Sequence, residues 1–237
     1  ELKKEIDFDA NILIIDPKSK ETREKRDQYA TKYWESRKRS GVTFYGAQAK
    51  MKERNYFGAM MVVEGDVDGM ISGYTRAYPT VAKPIFELIG KAHNVKKVAT
   101  VNIMTTDRGP LFLADTAINI DPTAEELADI AQMTANVAST LGFDPIMAML
   151  SYSNFGSSSH PNALKVRKAV EILHTKNPNL IVDGDLQSDF ALNMELLQSK
   201  FPFSKLAGKK VNTLIFPNLE SGNITYKLLK ELHKSES

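Results

Sequence analysis

The chain has 237 residues, 42% of them hydrophobic and 25% charged, with a formal net charge of +2 and no cysteine. That composition suits a soluble globular protein of one or two domains and gives no global field to recruit nucleic acid or a membrane surface. It excludes disulfides, thiolate metal sites and a cysteine nucleophile, and it fits a reducing cytoplasm.

Taken in chain order, apolar β-rich stretches alternate with amphipathic ones. Asn11–Ile15 reads as a strand, directly after the charged stretch Glu1–Asp7, and nothing nearby supplies the parallel partners it would want. The ends therefore read as cut, the chain being part of something larger. Lys20–Arg39 reads as a helix with Tyr29, Tyr33 and Trp34 on its buried side and Gly41 as its stop. Its Lys32–Arg39 cluster reads as a solvated helix face. Phe44–Arg54 reads as a second helix, Ala59–Val63 as a buried segment of either type, and Gly69–Ser72 as a short strand. Pro84 suits the first turn of a helix over Pro84–Lys91. Val98–Met104 and Leu111–Ala114 read as strands flanking a turn at Asp107-Arg108-Gly109-Pro110.

The clearest helix opens at Thr123, where Thr123 and Glu126 have the spacing of a capping box, and closes at Gly142. Ile146–Leu150 reads as a buried strand, and Asn162–His174 as a helix. Leu180–Val182 reads as a strand, Ala191–Ser199 as a helix, Val211–Phe216 as a strand and Asn223–Leu232 as a final helix. Strand-then-helix alternation predicts an α/β fold: mostly parallel sheets with helices on both faces. Ligands of such sheets bind beyond the carboxyl ends of the strands.

Two loops occupy that position. Ser151-Tyr152-Ser153-Asn154-Phe155-Gly156-Ser157-Ser158-Ser159 is rich in hydroxyls and leads into a helix N-terminus. It reads either as a phosphate cradle or as ordinary serine capping. Phe216 to Lys227 has the same strand-loop-helix form; Asn223 can cap its helix, and Tyr226 and Lys227 could reach an anion. The other reading of that stretch is a cap beside a solvated lysine. Thr75, Arg76, Lys83 and Arg108 are further phosphate candidates by charge-assisted hydrogen bonding. No GxGxxG follows a strand, Gly208-Lys209 lacks the rest of a P-loop, and His93, His160, His174 and His233 have no ligand spacing, so neither a nicotinamide nor a metal site is expected. Asp121 reads as a helix cap and Asp183-Gly184-Asp185 as a turn; these and Asp115 and Asp189 do not form a catalytic pair.

At these loops the sequence resembles the phosphate acetyl/butyryl-transferase family. The resemblance rests on Asn55-Tyr56-Phe57-Gly58-Ala59-Met60-Met61, Asp68–Gly73, Ala114–Glu125, the Ser151 loop with its strand, Asp183-Gly184-Asp185, and Phe216–Lys227. Thr106–Phe112 and Ser153–Ser158 are most similar to the C-terminal part of hybrid NADP-dependent malic enzymes. The resemblance implies a two-domain fold of the phosphotransacetylase and isocitrate-dehydrogenase type, truncated at both ends. Residues 1–91 would be the latter part of domain I and 92–237 domain II. A cleft between the domains would hold acetyl-CoA or coenzyme A. It implies ligand contacts from Arg37, Thr75, Arg76, Lys83, Arg108, Ser151, Ser153, Asn154, Ser157, Ser158, Asn218, Asn223, Tyr226 and Lys227. A Ser-Arg-Gly loop and an aspartate that contribute to catalysis in the family would follow residue 237, so no catalytic residue is expected here. Lys83 replaces a family arginine and loses its planar fork. The leading functional expectation is an acyl-CoA-binding regulatory module of a malic enzyme, whose NADP and divalent metal would sit in an upstream domain. The alternative is a phosphate acetyltransferase. Either would be a cytoplasmic homo-oligomer, at least a dimer, with no nucleic-acid or membrane partner.

Overall fold

The structure, a computed structural model, describes residues 12–92 and 95–233. The chain divides into two compact units, residues 1–94 and 95–237.

The described part of the first unit is helical: α1 (Arg23–Arg37), α2 (Phe44–Lys50), α3 (Arg54–Val63) and α4 (Tyr78–Pro84). A single 3-10 turn, Lys38–Ser40, extends α1 to Gly41, whose φ of 85° lets the chain reverse. The core gathers Tyr29, Tyr33, Met51, Tyr56, Phe57 and Met60. Tyr29 meets Phe57 with ring centroids 5.1 Å apart, and Tyr33 meets Tyr56 edge-on at 5.7 Å. The expected buried face of α1 is correct in Tyr29 and Tyr33; Trp34 is only half-buried.

Several expectations in this unit are corrected. Asn11 lies outside the described residues, as does Glu1–Asp7. Ile12–Ile15 is not a strand: it is exposed, and no described strand lies beside it to take its hydrogen bonds. Gly69–Ser72 is irregular for the same reason. The expected Phe44–Arg54 helix breaks at Met51, and a new helix starts at Arg54, so Ala59–Val63 is helical. Pro79, not Pro84, takes the early position of α4. Pro84 sits inside it, and the widened π turn Ile85–Ile89 follows, where the proline lacks an N–H to keep the α-helical ladder.

The second unit contains β1 (Val101–Thr106), β2 (Gly109–Ala114), α5 (Ala124–Thr140), β3 (Ile146–Leu150), α6 (Pro161–Lys176), β4 (Ile181–Leu186), α7 (Ser188–Leu192), α8 (Met194–Lys200), β5 (Thr213–Ile215) and α9 (Leu219–His233). The sheet order is β1-β2-β5-β3-β4. β1 and β2 form an antiparallel hairpin; the β2–β5, β5–β3 and β3–β4 pairs are parallel. Side chains alternate between two covered faces, so β3 and the second half of β2 read as continuous apolar runs. Ala114, Met147, Met149, Val182 and Ile215 pack under α5 and α6. Leu113, Ala148, Leu150, Leu186 and Leu214 pack with residues of α7, α8 and α9 on the other face. The α/β architecture with a mostly parallel sheet is as expected.

The capping box forms as its spacing demands. The Glu126 amide donates to Thr123 Oγ1 at 3.2 Å and the Thr123 amide to Glu126 Oε2 at 3.0 Å. Asp121 is not the cap: its carboxylate instead accepts from Lys165 Nζ at 2.6 Å. Along α5, Ala128, Ala131, Ala135 and Ala138 are buried, small residues that let the helix approach the sheet closely. Asp183-Gly184-Asp185 is not a turn but the heart of β4. A Cβ at Gly184 would lie 2.4 Å from the Met149 carbonyl oxygen, so glycine is required where β3 and β4 press together.

Candidate functional site

β3 and β5 are hydrogen-bonded parallel neighbours, so the loops after Leu150 and after Ile215 leave the same edge of the sheet. The turns after β2 and β4 leave it too. This is where the topology predicts a ligand.

The serine loop is tied into a knot by its own hydroxyls. Ser151 Oγ accepts from the Ser153 amide at 3.2 Å. Ser153 is fully buried; its Oγ accepts from the Ser158 amide at 3.1 Å and lies 3.0 Å from Ser157 Oγ. Ser157 Oγ accepts from the Asn154 amide at 3.0 Å, and Ser158 Oγ lies 3.0 Å from the Tyr152 hydroxyl. The loop is fixed to β4 as well. The Ser151 amide donates to the Leu186 carbonyl at 2.9 Å, the Phe155 amide to the Asp185 carbonyl at 2.8 Å, and Asn154 exchanges two hydrogen bonds with Gln187. Phe155 and Gly156 take positive φ values of 43° and 94°. Ser157 and Gly156 stay exposed at the tip. His160, not a serine, caps α6, its Nδ1 accepting from the Asn162 amide at 3.3 Å.

Beneath this loop Asp185 is completely buried. Arg167 of α6 meets it with Nε at 3.3 Å and one terminal nitrogen at 3.5 Å, and the same nitrogen donates to the Ser158 carbonyl at 3.2 Å. Sequence reading missed Arg167 and took Asp185 for part of a turn. They are 18 positions apart and share no local pattern, so only the fold joins them.

The loop after β5 is organised by a second buried acid. Asn218, rather than Asn223, caps α9: its Oδ1 accepts from the Ser221 amide at 2.9 Å, and the helix begins at Leu219. Asn223 instead donates through Nδ2 to the Thr116 carbonyl at 2.9 Å. That ties α9 to the turn after β2, which is built on Asp115. The Asp115 carboxylate accepts from the amides of Ala117 at 3.0 Å and Asn119 at 2.9 Å, from the Asn119 side chain and from the Thr100 hydroxyl. Burial pushes this carboxyl up, but those hydrogen bonds outweigh it and hold it below the usual carboxylate range. A Cβ at Gly222 would sit 2.3 Å from the Asp115 carbonyl oxygen, which explains glycine in the first turn of α9. Tyr226 packs against the apolar core with Leu229, and Lys227 is exposed.

Arg108 does not join this group. It sits in the β1–β2 turn, before the amino end of β2 and thus at the opposite edge of the sheet, where its guanidinium donates to the Leu192 carbonyl. It borders a cavity of about 520 Å³ with Phe143, Leu192, Lys210 and Leu229. Hairpin geometry, not motif, decides which edge a turn residue occupies.

In the first unit, Thr75 and Arg76 line a cavity of about 610 Å³ together with Arg54, Asn55 and Ser72. Arg54 donates to Thr75 Oγ1 at 3.3 Å, and buried Asn55 accepts from Ser72 Oγ at 2.8 Å and donates to the Thr80 carbonyl at 3.2 Å. Sequence reading missed Arg54. Lys83 and Arg37 lie elsewhere, Lys83 beside Glu87 and Arg37 near Tyr33. Lys83 pairs with Glu87 at 3.9 Å, and the hydroxyls of Tyr33 and Tyr56 donate to Glu87 at 2.9 and 2.7 Å. Burial, then the bond to Glu87, pushes Tyr33 up to about 12, while the nearby Arg37 charge pulls against it. Burial would raise Glu87 too, but the two tyrosine hydroxyls hold it below its usual range. Arg37 Nε is buried with no partner among the described residues.

Hydroxyls, amides and cations are the kinds of group that suit an anionic ligand. The buried acids Asp115 and Asp185 are consumed by internal donors and are not placed to take a proton from a ligand. Among the described residues no group of three acidic or histidine side chains could hold a metal, and no helix is long and apolar enough to cross a membrane.

The fold and site define a doubly covered, mostly parallel α/β unit with a hydroxyl-rich loop at its carboxyl edge, joined in sequence to a helical unit. The sequence pattern described as phosphate acetyl/butaryl transferase matches residues 1–237. A phosphate acetyltransferase of Thermoanaerobacterium thermosaccharolyticum is 43% identical over 231 residues, covering 94% of this chain and 69% of the relative. An NADP-dependent malic enzyme of Escherichia coli is 36% identical over 231 residues, covering 97% of this chain but 29% of that protein. A solved phosphotransacetylase from Streptococcus pyogenes superposes with a TM-score of 0.79 at 36% identity, covering 98% of this chain and 70% of that one. The chain belongs to the phosphate acetyl/butyryl-transferase family.

Proposed function

We propose that this chain is part of a phosphate acetyltransferase, moving an acetyl group between coenzyme A and phosphate. The coenzyme A sulfur attacks the acetyl carbon; a C–S bond forms, the C–O bond to phosphate breaks, and phosphate leaves with the bonding electron pair. The thiol proton ends on the released phosphate, so the exchange balances. The reaction needs orientation and stabilisation of developing negative charge, and no covalent enzyme intermediate, so a chain without cysteine can serve it. The observation that carries this reading is the 43% identity to a phosphate acetyltransferase across almost the whole chain. The convergence of the Ser151–Ser159 and Asn218–Lys227 loops on one sheet edge supports it. In this reading Ser151, Asn154, Ser157, Ser158, Asn218, Tyr226 and Lys227 form the coenzyme end, with buried Ser153 shaping the serine loop from inside and Asn223 holding α9 in place. Within the first unit taken by itself, Thr75, Arg76, Lys83 and Arg37 are the candidate anion contacts. The protein works in the cytoplasm as a homo-oligomer, at least a dimer.

A second reading is favoured by the malic-enzyme relative, which matches 97% of this chain at 36% identity. There the chain senses acyl-CoA for a decarboxylating domain that carries its own NADP and divalent metal. One assay separates the two: acetyl-CoA formation from acetyl phosphate and coenzyme A by the intact gene product. Turnover supports the transferase, while acetyl-CoA binding without turnover supports the sensor. Absence of both, by calorimetry, sinks the two readings together. Ser157→Ala removes the hydroxyl that accepts from Asn154, and Lys227→Ala removes an exposed cation. Each should weaken coenzyme A binding roughly tenfold without unfolding the protein. Unchanged affinity in both would remove these loops from the site.

A further inference from the structure

The serine loop is anchored at its near end by β4. Leu186, Gln187 and Asp185 hold Ser151, Tyr152, Asn154 and Phe155 through backbone and amide hydrogen bonds. None of these reaches the far end, Gly156 to Ser158, where the exposed tip lies. That end is held by Asn154 and buried Ser153 from inside the loop and by Arg167 from α6. One guanidinium nitrogen of Arg167 is shared between the Ser158 carbonyl at 3.2 Å and the Asp185 carboxylate at 3.5 Å, while Nε takes the other carboxylate oxygen at 3.3 Å. Gly156 lies flat on the same group: a Cβ there would be 3.5 Å from the guanidinium. The side chain of Arg167 is about a third exposed and that of Asp185 not at all.

Resting on the transferase reading of this loop, we propose that Arg167 is a positioning residue for coenzyme binding. It sets the shape of the 156–158 tip through its planar fork, with buried Asp185 fixing the plane of that fork. The distinction between fork and charge is physical. A lysine ammonium can reach Asp185 or Ser158 as a point charge, but it cannot bridge both while presenting a flat face to Gly156. A ligand seated on the tip would therefore lose its preformed seat in a lysine variant even though the positive charge remains.

The test uses Arg167→Lys and, to retain the packing of the stem without charge, Arg167→Met. Hydrogen exchange of the ligand-free protein is read first. Both variants should speed exchange at the Ser157 and Ser158 amides by about tenfold or more, while the Ser151 and Gln187 amides, held by β4 and its neighbours, stay protected. Calorimetry with coenzyme A is read second, and both variants should bind roughly tenfold more weakly than the parent. Protection kept in Arg167→Lys but lost in Arg167→Met would mean that charge alone suffices and would overturn the proposal. Unchanged exchange in both would do the same. Faster exchange with unchanged coenzyme affinity would overturn the link to binding. If the parent protein itself binds no coenzyme A, the transferase reading fails with that link, and the exchange result still judges whether Arg167 shapes the loop.

Discussion

Asp115 and Asp185 solve one problem in two ways. Each carries a buried carboxylate at the carboxyl edge of the same sheet, one just after β2 and the other near the end of β4. Asp115 is surrounded by neutral donors: backbone amides, a threonine hydroxyl and an asparagine side chain. Asp185 is met by a guanidinium. The neutral solution makes a self-contained turn that fixes the start of α9 through Thr116, Asn223 and Gly222. The charged solution leaves a partly exposed cation directly under the serine loop. The difference is between rigidity alone and rigidity with a charge left near the surface.

The largest expected effect tests that contrast. Asp115→Ala strands the Thr100 hydroxyl, the Ala117 and Asn119 amides and the Asn119 side chain without an acceptor, and should cost roughly 4 kcal/mol by urea unfolding. Asp185→Ala should cost less, about 2 kcal/mol, because Arg167 is partly exposed and can be hydrated. A larger loss at Asp185 would break the comparison. The Asp115 site also carries an acid signature. The Asp115 carboxyl is held below its ordinary value, so its contribution is fully present above about pH 4 and is lost as pH falls through the lower folded value. Asp115→Asn should flatten that acid limb in a urea titration against pH.

A somewhat smaller effect probes the backbone around each acid. Gly222→Ala drives a Cβ to 2.3 Å from the Asp115 carbonyl oxygen, and Gly184→Ala drives one to 2.4 Å from that of Met149. Neither neighbour is a flexible side chain, so each substitution should cost about 2–3 kcal/mol. If Gly222→Ala also releases Asn223 from Thr116, coenzyme binding should fall with stability. Gly184→Ala should disturb β3 and β4 first, which thermal melting with hydrogen exchange at Met149 would reveal.

The same contrast explains what could be read in the sequence. The α5 capping box, the Ile146–Leu150 strand and the strand-helix rhythm are local patterns, and they fold as expected. The serine loop and the Phe216 turn were findable because strand, loop and helix follow one another in the chain. What the sequence hid is non-local. Arg167 and Asp185 are ordinary members of a helix and a strand until the sheet brings them together. Arg108 looked like a site residue because its turn is polar, but the direction of β2 puts it at the other edge. Ile12–Ile15 and Gly69–Ser72 have strand-like composition, yet composition does not supply the neighbouring backbone that a strand must bond.

Glu87, in the helical unit, extends the comparison to a third carboxylate, and the effect there is the smallest. Its partners are two tyrosine hydroxyls with Lys83 nearby, intermediate between the neutral cage of Asp115 and the ion pair of Asp185. Tyr33→Phe removes one donor while Tyr56 still bonds the same oxygen, so the loss should be about 1 kcal/mol near neutral pH. The alkaline behaviour is the sharper readout. Burial and Glu87 raise Tyr33 to about 12. The stabilisation it provides is therefore fully present below about pH 10, the ordinary phenol value, and is lost as pH rises through the folded value. Urea unfolding followed from neutral to strongly alkaline pH should show the parent losing stability across that window and Tyr33→Phe losing less. Equal losses in the two proteins would mean that Tyr33 does not hold its proton for Glu87, and that this carboxylate, like Asp185, is balanced chiefly by a neighbouring cation.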